Sequence, residues 1–271
     1  MKPRLDELLV QRGFFETIHD AQAAVIAGEV VVGEHRETSA GKRLKPDAPL
    51  RVKGRDAFAS RGGGKLARAL QAFELDASGK RCIDLGASTG GFTDCLLQAG
   101  AASVCAVDVG APLMRWELQQ DPRVDYRCNT DVRGLDPGQV GGPFDMAVAD
   151  LSFISLTSVF EDVARLVKPQ GIFVSLVKPQ FEVAHNQVGE GGIVRDPALH
   201  EQAIERVLQA AVARGFEPKG LTFSPFTGRK GNIEYLFWAL RCDTSAGVDG
   251  LEEETVRAVV REAHEQLGGS R

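Results

Sequence analysis

The sequence predicts a doubly wound α/β domain over residues 59–271, preceded by a small α+β unit over residues 1–58. Three observations carry this. Four short, nearly continuous apolar runs, "RCIDLG", "SVCAVDV", "FDMAVADL" and "GIFVSLVK", alternate with helical stretches, as parallel strands covered on both faces do. A glycine-rich turn joins the first run to its helix, the usual place for a ligand at the C-terminal edge of such a sheet. Before Gly64 the pattern is different, with two short amphipathic helices followed by strand-like fragments.

In chain order, "RLDELLVQRG" puts Leu5, Leu8 and Leu9 on one helical face and ends at Gly13, a C′ glycine. In "IHDAQAAVIAGEV", Ala21, Ala24 and Val25 repeat that spacing and Gly28 ends the turn. "EVVVGEHR" and "DAPLRVKG" are expected as short strands, and "GRDAFASRGG" as the linker. "KLARALQAF", "GGFTDCLLQAG" and "SLTSVFEDVARLV" are helical candidates between the strands. A long helix starts with Asp196 as N-cap and Pro197 at its first position, and Gly215 lies just past its end. "LTFSPF" and "NIEYLFWAL" flank the turn "TGRKG" as an antiparallel hairpin closing the sheet, and "LEEETVRAVVREAHEQL" is a final amphipathic helix. The 17-residue stretch from Pro179 to Arg195, with Gly189, Gly191 and Gly192, is expected as a lid-like loop.

Hydrophobic residues at 43% and charged residues at 25% are ordinary for a soluble protein; no apolar run approaches a membrane span and no signal peptide opens the chain. A cytoplasmic location is therefore expected. Cys82, Cys95, Cys105, Cys128 and Cys242 form no C-x-x-C pair, which argues for reduced, buried thiols over a disulfide or zinc framework, so no metal site is expected. The net charge of −5 hides a local asymmetry. Between Lys42 and Arg68 nine Lys/Arg (Lys42, Arg43, Lys45, Arg51, Lys53, Arg55, Arg61, Lys65, Arg68) face only Asp47 and Asp56, a local net of +7 that suits a phosphate-bearing partner.

The chemistry concentrates at strand ends. In "IDLGASTGGFTD", residues 83–94, Asp84, Gly86, Gly90 and Gly91 allow a tight turn and a close ligand approach at a helix N-terminus, with Ser88 and Phe92 in the same turn. Some 20 residues on, Asp108 stands where a carboxylate can bind ribose hydroxyls. Ser88 replaces the middle glycine of the dinucleotide motif, which disfavours a pyrophosphate and favours S-adenosylmethionine; a ligand-free tight turn is the competing reading. Asp150 in "VADLSFIS", Lys178 in "SLVKPQFE", Glu234 in "GNIEYLFW" and Lys65 before the first helix of the sheet domain converge on one rim. Singly each has a bland role as cap or surface charge. Together they form a catalytic candidate set.

These stretches resemble the TlyA family of rRNA methyltransferases, also called hemolysins, in which an S4-type RNA-binding domain precedes an FtsJ-like Rossmann methyltransferase. The resemblance runs through "RLDELLVQRG", "AQAAVIAGEVVV", "SRGGGKL", "DLGASTGGFTD", "ADLSFIS", "LVKPQFE" and "SPFTGRKGNIEYL", nearly the whole chain. It implies an S4-type domain over 1–58, a methyltransferase domain over 59–271, and S-adenosylmethionine-dependent 2′-O-methylation of rRNA cytidines. It also implies a Lys-Asp-Lys-Glu tetrad at Lys65, Asp150, Lys178 and Glu234, in which Lys178 takes or steers the proton of the ribose 2′-hydroxyl. Asp131 in "NTDVR" would contact the adenine amine, with a buried strand-end cap as the alternative. The implied partner is rRNA or a ribosomal subunit, with neither membrane nor DNA in that role. Candidate RNA contacts are Arg4, Arg12, Lys42, Arg43, Lys45 and Arg61. One departure stands out: Ile18 and His19 occupy the positions where such front domains often carry a Ser-Arg pair.

Other classes fit less well. An exocyclic-amine methyltransferase calls for an N/D-P-P-aromatic motif where this chain has "DLSF", and a cytosine-C5 enzyme calls for a rim cysteine. A lytic protein needs an insertion element, and helix 251–267 has only a thin apolar stripe with an acidic start. A non-catalytic RNA-binding assembly factor would keep the basic patch without needing the tetrad.

Overall fold

The computed structural model describes residues 2–11, 14–15, 17–33, 35–46, 48–52, 57–242 and 250–268. The sequence expectations at Arg12, Gly13, Asp47, Lys53, Arg55 and Asp56 lie outside the described residues.

Helices α1 (Leu5–Gln11) and α2 (Ile18–Ile26) bury Leu5, Leu8, Leu9, Ala21, Ala24 and Val25 against β1 (Val30–Val32), β2 (His35–Glu37) and β3 (Leu50–Val52). These strands form an antiparallel sheet in the order β2-β1-β3, so "EVVVGEHR" is itself a hairpin and not a single strand. Asp6 ties the unit together from inside. Its buried carboxylate accepts from Arg4 Nε at 2.9 Å and Nη2 at 2.7 Å, from Gln22 Nε2 at 2.8 Å and from the Glu7 N–H at 3.0 Å. The bonds from the Arg4 guanidinium hold this carboxyl down at about 2, so the group stays ionised though buried.

The larger sheet runs through α3 (Arg61–Ala72), β4 (Arg81–Leu85), α4 (Gly91–Gln98), β5 (Ser103–Val107), α5 (Trp116–Gln119), β6 (Val124–Arg127), β7 (Phe144–Ala149), α6 (Phe160–Leu166), β8 (Val167–Val177), α7 (Pro179–Glu182), α8 (Pro197–Ala213), β9 (Phe216–Phe223), β10 (Tyr235–Arg241) and α9 (Glu253–Leu267). The strand order is β6-β5-β4-β7-β8-β10-β9; the first five are mutually parallel, and β10 is antiparallel to both its neighbours. Period-two alternation feeds two cores: Ile83, Phe173 and Val177 face the α6–α8–α9 side, while Cys82, Val174 and Leu176 face the α3–α4 side. On the first side, Phe173 meets Phe160 edge-on at 5.9 Å and Phe237 at 5.8 Å between ring centroids.

Some boundaries differ from the sequence expectation. β6 is an edge strand with alternating burial and no continuous apolar run, which is why the run pattern missed it. β8 starts at Val167, directly after α6, well before "GIFVSLVK". The stretch from Pro179 to Arg195 is not an open loop: it holds α7 and two short 3₁₀ turns, His185–Gln187 and Glu190–Gly192. Its far end is fastened at Val194, whose N–H donates to Asn232 Oδ1 at 3.0 Å and whose carbonyl accepts from His200 Nε2 at 2.9 Å.

His200, on α8, has no solvent exposure. Since Nε2 donates to a carbonyl, Nδ1 is the acceptor, and Tyr235 OH lies 2.7 Å from it, with His264 Nε2 at 3.2 Å. Burial pushes the imidazole down to about 4, with the nearby His264 acting in the same sense and Asp196 against it. The folded protein thus keeps His200 neutral where the unfolded chain protonates it, so this contribution is present above about 6.5 and is lost as pH falls toward 4. The gap between 6.5 and about 4 corresponds to roughly 3 kcal/mol. Urea unfolding at pH 7.5, 5.5 and 4.5 should therefore show a steeper acid loss in the wild type than in His200→Asn; parallel pH profiles would refute the buried neutral state.

Candidate active site

The C-terminal ends of β4, β5, β7 and β8 form one rim. The turn after β4 is held close to β7: Gly86 has φ +89°, and a Cβ there would stand 2.8 Å from the Asp150 carbonyl oxygen, so only glycine fits. Asp108, directly after β5, grips the same turn, accepting from the Ser88 N–H and the Gly110 N–H at 2.7 Å each. Gly90 caps α4 with φ +93° and Gly91 opens the helix, while the Phe92 ring is buried in the core.

Asp84 lies fully buried beneath this turn. Its Oδ2 accepts from Thr93 Oγ1 at 2.7 Å, and its Oδ1 has no partner among the described residues. Burial pushes this carboxyl up to about 7, with Asp150 and Asp108 adding to the effect. A buried acceptor short of a donor, behind a glycine turn and beside a strand-end carboxylate, fits a polar, partly cationic ligand. Asp131 sits past β6 with its side chain 36% exposed, paired with Arg133 at 2.6 Å. The buried-cap alternative therefore does not hold for it, since the group is at the surface.

The four expected charged residues form two ion pairs. Lys178 Nζ lies 2.6 Å from Asp150 Oδ1 and donates to Ser152 Oγ at 2.9 Å. Lys65 Nζ lies 2.5 Å from Glu234 Oε2. Register links the pairs: Tyr235 on β10 is opposite Val177 on β8, so one step further Glu234 stands opposite Lys178. Asp150 is tied to β4 through its N–H, which donates to Leu85 O at 3.0 Å, and Gly62 at the start of α3 lies beside its carboxylate. Gly228 leaves the room that Glu234 occupies; a side chain there would run into its carboxylate.

Other residues at the rim carried no sequence signal. Phe153 is 87% exposed with φ +68°, and its ring lies 5.6 Å from that of Phe181, which stands 5.9 Å from Lys178 Nζ. Glu182 is buried and bonded to Ser155 and Leu156. The expected RNA contacts divide. Arg4 is engaged by Asp6, Lys42 is paired with Glu37 at 2.5 Å, and Arg43 Nη1 donates to Lys2 O at 2.8 Å. Lys45 and Arg61 are exposed and form no ion pair among the described residues.

The model of the FtsJ-like methyltransferase family matches residues 58–241. The Mycobacterium tuberculosis 16S/23S rRNA (cytidine-2′-O)-methyltransferase TlyA is 40% identical over 261 residues, covering 95% of this chain and 97% of that protein. Hemolysin A of Brachyspira hyodysenteriae is 36% identical, covering 86% of this chain and 98% of its own length. A solved hemolysin-named structure from Streptococcus thermophilus superposes with a TM-score of 0.76 at 39% identity, covering 98% of this chain and 97% of that one.

Because Lys65 and Glu234 are 11% and 4% exposed, removing one partner leaves a charge in a poorly solvated place. Glu234→Leu alone should cost about 3 kcal/mol of unfolding free energy, whereas Lys65→Met with Glu234→Leu should cost clearly less. Denaturant midpoints for the double-mutant cycle check this; additive losses would refute the coupling.

Proposed function

We propose, from the premise that this chain belongs to the FtsJ-like methyltransferase family and to its TlyA group, that it transfers a methyl group from S-adenosylmethionine to the 2′-hydroxyl of rRNA cytidines. The observation that carries this reading is the pair of ion pairs, Asp150–Lys178 and Lys65–Glu234, beside the glycine turn. Residues 84–92, Asp108 and Asp131 would hold the cofactor. When bound, it supplies an electrophilic methyl group on a cationic sulfur.

A ribose hydroxyl is a weak nucleophile, so the chain must align it and manage its proton. Lys178 is suited to both tasks: its ammonium is fixed by Asp150 and Ser152, and it would take the hydroxyl proton as it passes one of its own to the Asp150 carboxylate, one hydrogen bond away. Lys65 and Glu234 flank it and hold the local charge balance. Phe153 and Phe181 offer an aromatic face beside Lys178 on which a splayed-out base can stack.

Substrate RNA would be held by the front unit, residues 1–58, acting as an S4-type RNA-binding domain ahead of the methyltransferase domain, residues 59–271. Its separate hydrophobic core supports that division. Lys45 of this unit and Arg61 at the start of α3 are the better-placed cations, because Arg4 and Lys42 already have carboxylate partners. Arg12 remains a candidate outside the described residues. Such contacts suit a structured ribosomal RNA or a ribosomal subunit in the cytoplasm. Among the described residues no helix is long and apolar enough to cross a membrane.

Transfer of labelled methyl to ribosomal particles and to free rRNA tests the reading. Lys178→Ala should lose roughly 10²–10⁴-fold in rate with RNA binding unchanged, and Phe153→Ala should raise KM for RNA more than it lowers kcat. A wild type that binds RNA without transferring methyl would point instead to an assembly factor. Full activity in Lys178→Ala would remove that residue from its role.

A further inference from the structure

Two strand exits run side by side at the rim: residues 150–156 leaving β7, and residues 178–182 leaving β8. Four contacts join them in order. Asp150 meets Lys178 at 2.6 Å, Ser152 accepts from Lys178 at 2.9 Å, Phe153 meets Phe181 at 5.6 Å, and Glu182 closes the far end. Its Oε2 accepts from Ser155 Oγ at 2.6 Å and its Oε1 from the Leu156 N–H at 2.8 Å. The Glu182 carbonyl in turn accepts from Arg206 Nη1 on α8 at 2.8 Å.

Glu182 is only 3% exposed. A carboxylate in such a place is costly unless each oxygen is bonded, and here both are. It lies four residues after Lys178, at the end of α7, and its bonds reach the segment that starts at Asp150. Among the described residues, its two bonds are the hydrogen bonds that hold the distal part of the β7 exit against α7, beside the aromatic pair and the packing of Leu156. The shared lever is short, so slackness at Glu182 passes to Lys178 and Phe153, and a misplacement of about 1 Å at a reacting centre can cost about 10²-fold in rate.

We propose that Glu182 is a positioning residue for the transfer, setting the Lys178–Asp150 contact and the Phe153–Phe181 face by tying the β7 exit to α7. The proposal rests on the reading that this rim methylates ribose. Its chemistry makes the amide isostere informative. Glu182→Gln can still accept from Leu156 N–H and can donate to Ser155 Oγ, so it keeps both ties without the charge. Glu182→Ala loses both.

The test measures kcat and the donor KM of the full-length chain at a temperature where circular dichroism shows each variant folded. Glu182→Ala should lose about tenfold or more in kcat with donor KM unchanged, and Glu182→Gln should stay within about threefold of the wild type. Wild-type kcat in Glu182→Ala would overturn the proposal, and so would equal losses in the two variants. If Glu182→Ala does not fold, Ser155→Ala, which removes one tie, takes its place: an intermediate loss supports the proposal and an unchanged kcat overturns it. An inactive wild type would sink the ribose-methylation reading instead, and is told apart by the absence of transfer in every variant.

Discussion

A lysine ammonium at the inner end of a covered strand is stable only if a counter-charge meets it there, and the contact between Lys178 and Asp150 supplies one. Much else at the rim follows from this requirement. Asp150 must lie at the end of the neighbouring strand, which the parallel pairing of β7 with β8 provides through Ala149 opposite Ser175. The chain must leave both strands without pulling the two charges apart, which accounts for Pro179 at the first position of α7 and for the bonds that Glu182 makes to the other exit.

The same logic explains why the site is made of pairs. Four charges of one sign could not share so poorly hydrated a rim, whereas alternating signs leave little net field and fix each nitrogen in one place. Placement rather than net charge is therefore what the arrangement offers, consistent with a reaction whose main demand is alignment of a weak nucleophile. On the cofactor side the logic differs. Asp84 is buried without a counter-charge, held by Thr93 alone, and its orphaned oxygen is the feature that a bound ligand would satisfy.

Much of this was legible from residues alone. Apolar runs of strand length marked β4, β5, β7 and most of β8; the glycine turn and the acid 20 or so residues later marked the ligand side; capping residues marked α8. What escaped was everything that depends on who faces whom. β6 is short and alternates, so it has no run to detect. Arg4 looked like a free cation until the fold set it against Asp6, whose carboxylate Gln22 also bonds, and Lys42 until it met Glu37. Glu182 and Phe153 were not singled out from the sequence at all; burial of the first and exposure of the second are set by how two strand exits lie together.

The placement of β10 has a consequence for how the molecule comes into being. Among the described residues it is the last strand in chain order, yet it lies inside the sheet, between β8 and β9. On a ribosome the nascent chain can lay down β4 through β8 in sequence, but β9 has no edge to join until its successor arrives to fill the gap. Glu234, at the mouth of that final strand, reaches Lys65 across 169 positions. The glycine turn is thus in place long before the Lys65–Glu234 pair can form, and the set of four charges closes in one step with the insertion of a single strand.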